Sequence, residues 1–465
     1  MNKEKYRNFF FFSLAVICSR IPFLFNGYGS EEDAWALAIV AERIGSTGIY
    51  EVSRLPGHPL QELIYAAIYS YDAVFFNLLT LMISTLGILS FVAMLQQFDI
   101  KNAYWSGGAL AFTPIIYINS TNAMDYTWAM AFILMSGYFI SKKKAVLAGF
   151  LLAMAIGCRI TSGAMLIPFT FLIVNILPSD QKIKFLTRFI GSVLAGTVLF
   201  YAPVFQKYGT GFFTYYEHFP IPGFAKNFYK GSLAVWGLPA LLTGCYFIVH
   251  LLLKKKKPEE VMFHEKDISK ALLLFCFITV LLYTIAFIQV PLKAAFMIPA
   301  VPVIVLLFTL FLQRRQLMVL TTSLFLSCFF FGVNLADAHR GSKASPLAVT
   351  FAVSGQKVAF DPLSGLVTAD RSKQILRREY VISVLDKADE LTSKSVIISG
   401  WWYSEILVRG KDRVKDNIIF RHYIDEEELK WYQENKYSIF FLEEQDSSND
   451  LRFRKIFTRK YATPL

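Results

Sequence analysis

The sequence predicts an all-α polytopic membrane domain with about eleven transmembrane segments, followed by a soluble C-terminal α/β domain. Of its 465 residues, 55% are hydrophobic and only 18% are charged, whereas soluble proteins usually carry about 25% charged residues. Long apolar runs recur as far as residue 334, and acidic and basic residues are balanced beyond it. These observations predict a membrane domain over residues 1–334 and a soluble domain over residues 335–465.

The apolar runs give the predicted membrane segments in order. Runs of roughly 20 apolar residues are long enough to cross a bilayer as helices. The stretch 145–177 is longer, and the residues from Gly157 to Gly163 interrupt it, so it predicts two short helices that enter the membrane and return. The other segments are predicted at 9–26, 73–96, 104–118, 126–141, 188–205, 232–253, 270–290, 295–312 and 316–334.

The distribution of basic residues predicts the orientation, because Lys and Arg collect in cytoplasmic loops. With the N-terminus in the cytoplasm, the outer loop 27–72 has two basic residues against seven acidic ones. We expect a multi-pass protein of the plasma (inner) membrane with an extracytoplasmic C-terminal domain. Topology also accounts for the net charge of +12, so nucleic acid is not an expected partner. The inner loops hold Lys3, Lys5, Arg7, Lys101, Lys142 to Lys144, Lys182, Lys184, Arg188, Lys254 to Lys257, Arg314 and Arg315.

Two outer loops are long enough to have structure of their own. Within loop 27–72, apolar residues at helical spacing predict an amphipathic helix on the membrane surface, and residues 60–70 predict a second one. Glycines and prolines between residues 45 and 59 predict a turn that joins them. The second loop, 206–231, is rich in aromatic and turn residues, typical either of a lid or of an aromatic belt at the interface. The apolar positions of the first helix are Leu37, Val40, Ala41 and Ile44.

The C-terminal stretch alternates between apolar strand-like and helix-like patterns, which predicts a small α/β domain. It contains no cysteine, so disulfides are not expected to support it. The predicted strands are 395–399, 417–420 and 437–442, and the predicted helices are 371–391, 403–409 and 425–435.

An acidic cluster, Glu31-Glu32-Asp33, follows the first membrane segment where the chain emerges on the outer side. Two interpretations are open. Ser30 and Asp33 have the spacing of a capping box, and acids favour the first turn of a helix. Alternatively, carboxylates at a membrane boundary can perform acid–base chemistry.

The order of several motifs resembles the GT-C superfamily of membrane glycosyltransferases, of the ArnT and protein-mannosyltransferase type. The resemblance covers roughly residues 8–300. It rests on the acidic cluster after the first segment, then on Thr47 to Tyr50 and Ser53 to Pro59, then on Thr113 to Asp125, Ala148 to Pro168 and Lys293 to Pro299. It implies transfer of a monosaccharide from a polyprenyl-phosphate carrier to an acceptor hydroxyl on the outer face, with inversion.

The resemblance also suggests roles for individual residues. A positioned carboxylate can act as the base for the acceptor hydroxyl, with Asp33 as the first choice and Glu32 as the second. The departing lipid phosphate needs cations, and Arg159 is the best candidate because a charge at membrane depth is costly unless it is used. Asp125 either orients a sugar hydroxyl or pairs with Arg159. Further candidates on the donor phosphate side are Arg54, His58 and Lys293.

The partners follow from the same resemblance: a polyprenyl-phosphate-linked sugar, membrane lipids, and a lipid, glycan or protein as acceptor. No cofactor is expected, because a sugar phosphate donor does not require a divalent metal, although the acidic cluster has the chemistry to hold one.

The alternative function is a transporter or flippase of a lipid-linked saccharide. That function requires polar residues along a path through the membrane, often in repeated halves, and the apolar segments lack both features. A membrane-anchored binding protein with a working C-terminal domain is a third interpretation.

Overall fold

A computed structural model describes residues 3–210, 223–254, 266–335, 345–353, 356–442 and 463–465. Sixteen α-helices precede the first strand in these residues. Most of the aromatic residues of the predicted loop 206–231 lie outside the described residues. The helices are α1 (Lys3–Arg20), α2 (Glu32–Thr47), α3 (Pro59–Ala66), α4 (Ala73–Gln97), α5 (Ala103–Ala111), α6 (Pro114–Asn119), α7 (Tyr126–Ser141), α8 (Ala145–Cys158), α9 (Leu166–Ile176), α10 (Ser179–Tyr208), α11 (Phe224–Gly231), α12 (Leu233–Trp236), α13 (Leu238–Lys254), α14 (Lys266–Gln289), α15 (Val301–Phe311) and α16 (Arg314–Phe329).

Four helical stretches are long and apolar enough to cross a membrane, or five if a pair bent by 91° is one span. The multi-pass architecture is therefore confirmed, while the count of about eleven passes and the orientation stay predictions. The four stretches are Ala73–Gln97, Ser179–Tyr208, Lys270–Gln289 and Ala294–Phe311, and the bent pair is Phe224–Trp236 with Leu238–Leu253. Shorter apolar helices occupy Tyr126–Ser141, Ala145–Cys158 and Ile160–Ile176.

The predicted segment 104–118 is not one continuous helix. It divides into α5 and α6 because Pro114 has no amide hydrogen for the helical ladder and begins a new helix instead. Buried Arg20, at the end of α1, donates from Nη2 to the Ala111 carbonyl at 2.5 Å and from Nε to Ser120 Oγ at 2.8 Å. One guanidinium thus fixes both sides of the break, a role that the sequence analysis missed.

The stretch 145–177 forms two helices, as predicted. α8 ends at Cys158, the extended residue Arg159 follows, and a 3₁₀ turn leads into α9. α8 and α10 run in the same direction, since Gly149 lies against Phe189 and Gly157 against Phe200. Two parallel helices need a returning connection, and α9 provides it. The approach at Gly149 is close, because a Cβ there would lie 2.3 Å from the Phe189 carbonyl oxygen.

The outer loop contains the two predicted helices, α2 and α3, packed against each other. All four predicted apolar residues of α2 are buried, and α2 ends at Gly48, whose φ of 71° suits glycine. Of the two interpretations of the acidic cluster, the capping box is wrong: Glu31 is the N-cap residue, and no side chain caps the helix. Ser30 instead donates a hydrogen bond of 2.6 Å to Asp370 in the C-terminal stretch.

The C-terminal stretch has two sheets. The predicted strands and helices are confirmed, and the larger sheet is parallel with the order β5-β4-β6-β7. An antiparallel sheet with the order β1-β3-β2 was not predicted. The elements are β1 (Gly332–Leu335), β2 (Val349–Val353), β3 (Gln356–Asp361), α17 (Leu366–Glu390), β4 (Ser395–Ile398), α18 (Tyr403–Gly410), β5 (Ile418–Arg421), α19 (Glu426–Glu434), β6 (Ser438–Phe441) and β7 (Thr463–Pro464).

Candidate active site

Asp125 lies at the centre of a charged cluster between the loop 27–72 and the α8–α9 break. It is the residue before α7, and its carboxylate contacts two guanidinium groups. Arg54 Nη2 donates to Oδ1 at 2.7 Å, and Arg159 Nη1 donates to Oδ2 at 2.5 Å. Burial opposes ionisation of Asp125, but the surrounding cationic groups outweigh it and hold its pKa far below the usual range. The sequence left open whether Asp125 orients a sugar hydroxyl or pairs with Arg159. In the structure it pairs with Arg159.

Arg54 connects Asp125 to the acidic cluster. It lies in the link between α2 and α3, and its second guanidinium nitrogen, Nη1, is 2.7 Å from Asp33 Oδ2. The order of ionic contacts is therefore Asp33, Arg54, Asp125 and Arg159. The carboxylate of the acidic cluster and the cation of the α8–α9 break share one site, although they do not touch directly.

Lys293 completes the cluster from the connection that follows α14. It lies between α14 and the 3₁₀ helix Ala294–Ala300, and its ammonium group donates to Asp33 and lies 3.1 Å from Glu31 Oε2. Burial opposes the charge of Asp33, but Arg54 and Lys293 outweigh burial and lower its pKa. Three cations, Arg54, Arg159 and Lys293, thus face the three carboxylates of Glu31, Asp33 and Asp125.

Exposure separates the cluster into an open and a closed part. The side chains of Asp33 and Lys293 are 22% and 28% exposed, whereas that of Asp125 is 3% exposed. A ligand from solvent or lipid can therefore reach Glu31, Lys293 and Asp33 before Asp125. Asp125 is placed to hold the two arginines, and a sugar would not contact it without rearrangement.

His58 is close to the cluster but is not one of its cations. Its Nδ1 lies 2.6 Å from the Cys158 carbonyl oxygen, so that nitrogen donates to the end of α8. Burial lowers the pKa of His58 to about 4, and the ring is therefore uncharged at neutral pH. It joins the α2–α3 link to the α8–α9 break, a different role from the phosphate contact that the sequence suggests.

Glu32 faces away from the cluster. Its Oε1 accepts hydrogen bonds from Ser404 N at 3.1 Å and Ser404 Oγ at 2.6 Å, at the start of α18. Burial raises the pKa of Glu32 to about 7. Of the two candidate bases, the structure brings only Asp33 to the arginines and to Lys293.

Two aromatic rings that the sequence analysis missed flank Arg159. The guanidinium carbon lies 4.2 Å from the ring centroid of Tyr126 and 5.2 Å from that of Phe296. Cations are stabilised over aromatic faces, and more strongly where water is excluded. The sequence could have indicated both rings, because Tyr126 follows Asp125 directly and Phe296 lies inside the Lys293 to Pro299 motif.

The cluster has the means to bind an anion and to accept a proton. Lys293 and Arg54 present hydrogen-bond donors on the open side, and Asp33 lies between them. Among the described residues, no group of three or more His, Cys, Asp or Glu side chains is arranged to hold a metal ion. The acids of the cluster contact cations of the protein instead.

No family model matches this sequence, and no curated protein sequence matches it. Two solved structures share its fold. The structure of ArnT from Cupriavidus metallidurans bound to undecaprenyl phosphate has a TM-score of 0.55 and 11% identity, over 100% of this chain and 90% of that one. The apo state of the same protein has a TM-score of 0.53 and 11% identity, over 99% and 89%. The predicted resemblance is confirmed for the fold.

Proposed function

We propose that this chain is a membrane glycosyltransferase that moves a monosaccharide from a polyprenyl-phosphate carrier to an acceptor hydroxyl on the outer face of the membrane. The observation that carries the proposal is the position of Asp33 between Arg54 and Lys293, at the open side of the charged cluster. A base beside two phosphate-binding cations fits this reaction. The shared fold supports the same class, because one of the similar structures is that of ArnT bound to undecaprenyl phosphate.

The reaction is a single displacement at the anomeric carbon. The acceptor oxygen forms a bond to that carbon while the bond from carbon to phosphate oxygen breaks, and one displacement inverts the configuration. The proton of the acceptor hydroxyl passes to the Asp33 carboxylate, a general base near the reacting centre. The leaving group is the polyprenyl phosphate, which takes the electron pair of the broken bond.

The cations of the cluster stabilise the leaving phosphate. Negative charge grows on its oxygens in the transition state, and donors already aimed at them lower the barrier. Lys293 and Arg54 are the two cations in contact with Asp33, and an arginine can contact two phosphate oxygens at once. Arg159 does not contact Asp33 but shares the Asp125 carboxylate with Arg54, and the rings of Tyr126 and Phe296 lie beside its guanidinium group.

The donor also prepares the base. Without substrate, Arg54 and Lys293 both bind Asp33, and this pairing makes the carboxylate a weak proton acceptor. A phosphate that takes these cations frees Asp33 to bind the acceptor hydroxyl. The proposed order is therefore donor first and acceptor second.

The test compares Asp33→Asn with the wild-type protein by mass spectrometry of envelope glycans and glycolipids in cells. Asp33→Asn should abolish addition of the monosaccharide, since an amide is not a base at neutral pH, while insertion into the membrane is retained. Asp72→Asn is the matched control, because Asp72 is an exposed acid of the same outer loop at the N-cap of α4. Normal transfer by Asp33→Asn would remove the catalytic assignment. Movement of a lipid-linked saccharide across vesicles without a new glycosidic bond would favour the transporter instead.

A further inference from the structure

The first turn of α2 carries two neighbouring acids that face different parts of the protein. Successive residues of an α-helix are separated by about 100° around its axis. Asp33 therefore points to Arg54 and Lys293, while Glu32 points to α18 of the C-terminal stretch. Glu32 is 9% exposed, and the proposed reaction gives it no role. A buried acid next to the catalytic base needs a physical explanation.

Glu32 binds the start of α18. The first amides of a helix have no partner within the helix, and a carboxylate is favoured near them. Ser404 supplies its amide at 3.1 Å and its hydroxyl at 2.6 Å to one oxygen of Glu32. Arg377 Nη2, from α17, lies 3.8 Å from the other oxygen. The carboxylate thus joins the start of α2 to two helices of the C-terminal stretch.

A second contact holds the next turn of α2. The guanidinium carbon of Arg409, on α18, lies 4.7 Å from the ring centroid of Trp35. Glu405 orients both arginines of this interface. Its Oε2 accepts from Arg377 Nε at 2.8 Å, and its Oε1 accepts from Arg409 Nε at 2.9 Å. Glu405 is 1% exposed, so this arrangement is built into the interface and is not a surface contact.

The start of α2 depends on these contacts, since it lacks a capping side chain. Ser30, which could have capped the helix, donates to Asp370 on α17 instead. Helix ends fray when their free amides lack partners. Asp33 is the second residue of the helix, so its position between the two cations is sensitive to fraying.

We propose that Glu32 is a positioning residue through which the C-terminal domain fixes the first turn of α2 and thereby the location of Asp33. The proposal rests on the proposed function, in that Asp33 is taken as the base. It gives the C-terminal domain a role in the transfer step without any contact with the sugar. The role of Glu32 is to accept the hydrogen bonds of Ser404, not to accept a proton from the acceptor.

The test uses the full-length protein in nanodiscs and measures kcat, KM for the donor, and amide hydrogen exchange over residues 36–39, whose amides bond to the carbonyls of the first turn of α2. Glu32→Ala should lower kcat by roughly 100-fold, because misplacement by about 1 Å can cost that much, while donor KM changes by less than about threefold. The amides of residues 36–39 should exchange roughly tenfold faster, and those of α3 should not change. Glu32→Gln should recover most of kcat, because its amide oxygen still accepts both hydrogen bonds from Ser404.

Ser404→Ala probes the same contact from the C-terminal side and should lower kcat by roughly tenfold, as only the hydroxyl is lost. Ser404→Ala also tests the proposal if the Glu32→Ala protein fails to insert into the membrane. Glu42→Ala is the matched control, since Glu42 lies on α2 and pairs with Lys411 of the C-terminal stretch at an exposed position. It should leave kcat unchanged.

Wild-type kcat and wild-type exchange in both Glu32→Ala and Ser404→Ala would overturn the proposal. A loss of kcat in Glu32→Gln as deep as in Glu32→Ala would also overturn it, because that result would indicate a proton-transfer role. Hydrogen exchange needs no substrate. If the wild-type protein showed no sugar transfer while Glu32→Ala still exchanged faster, the proposed function would be contradicted. The positioning contact of Glu32 would stand.

Discussion

Arg159 Nη1 lies 2.5 Å from Asp125 Oδ2, and this ion pair joins the α8–α9 break to the start of α7. The two residues are 34 positions apart in sequence, and both are nearly buried. Because the same carboxylate also holds Arg54, one acid fixes the two arginines of the candidate site.

Asp125→Asn should destabilise the protein. The substitution removes the negative charge that Arg159 and Arg54 share, and breaking a buried ion pair typically costs about 3–5 kcal/mol. Thermal unfolding in detergent should show a midpoint several degrees below that of the wild type, whereas the exposed Asp72→Asn should match the wild type. An unchanged midpoint for Asp125→Asn would contradict the central role of this carboxylate.

Lys293→Met should weaken donor binding and shift the pH profile of transfer. Loss of a phosphate contact worth about 2 kcal/mol corresponds to roughly 30-fold in donor KM. Burial raises the pKa of Asp33 while Arg54 and Lys293 lower it, so removal of Lys293 should raise the pKa of Asp33. Transfer needs the ionised carboxylate, and the acid limb of the pH–rate profile should therefore move to higher pH.

The control for this experiment is Lys226→Met, which removes an exposed lysine of α11. Donor KM and the acid limb of Lys226→Met should both match the wild type. A Lys293→Met enzyme with the wild-type acid limb would show that Lys293 does not influence Asp33.

Glu32 should make stability depend on pH. Burial raises its pKa from 4.5 to about 7, against the opposing effects of Ser404 and Arg377, and the nearby Asp33 raises it further. Between pH 4.5 and 7 the folded state then binds more protons at this site than the unfolded state, so the free energy of unfolding falls as pH rises. The thermal midpoint of the wild type should fall more between pH 5 and pH 8 than that of Glu32→Gln. Equal changes in the two proteins would argue against this titration.

Arg20→Lys should destabilise the protein although it keeps the charge. A lysine has a single ammonium group and cannot donate to both the Ala111 carbonyl and Ser120 Oγ in the geometry of a planar guanidinium. A buried acceptor without a donor costs about 1–3 kcal/mol. Thermal unfolding should therefore show a lower midpoint than the wild type. A midpoint equal to that of the wild type would indicate that the α5–α6 break does not depend on Arg20.

The sequence predicted the elements that depend on local patterns. The apolar spacing of Leu37 and Ile44 predicted α2, and the polar interruption near Arg159 predicted the α8–α9 break. The order of motifs predicted that Asp33 and Arg159 share a site. Charged residues inside otherwise apolar runs are few, and this is why Arg159 could be selected without coordinates, whereas Asp125 was selected through the family resemblance.

The remaining features depend on contacts between distant residues. Glu32 and Asp33 are adjacent and chemically alike, and only the packing of α18 against one side of α2 distinguishes them. Arg20 lies within the predicted segment 9–26, and its sequence neighbours do not reveal the carbonyl at Ala111 to which it donates. The strands β1 and β3 of the antiparallel sheet mix polar and apolar residues without a continuous apolar run, so their pairing and not their composition defines them.

The contacts of Asp33 with both Arg54 and Lys293 have a consequence for the charge balance of the proposed reaction. A sugar phosphodiester brings one negative charge, and its cleavage leaves a phosphate monoester with a second one. Asp33 loses its own negative charge in the same step, because it takes up the acceptor proton. The total charge of the cluster and its substrates is therefore the same before and after transfer. Charge moves only from Asp33 to the phosphate, between groups that Arg54 and Lys293 can contact in turn, so the surrounding apolar helices need not accommodate a new ion.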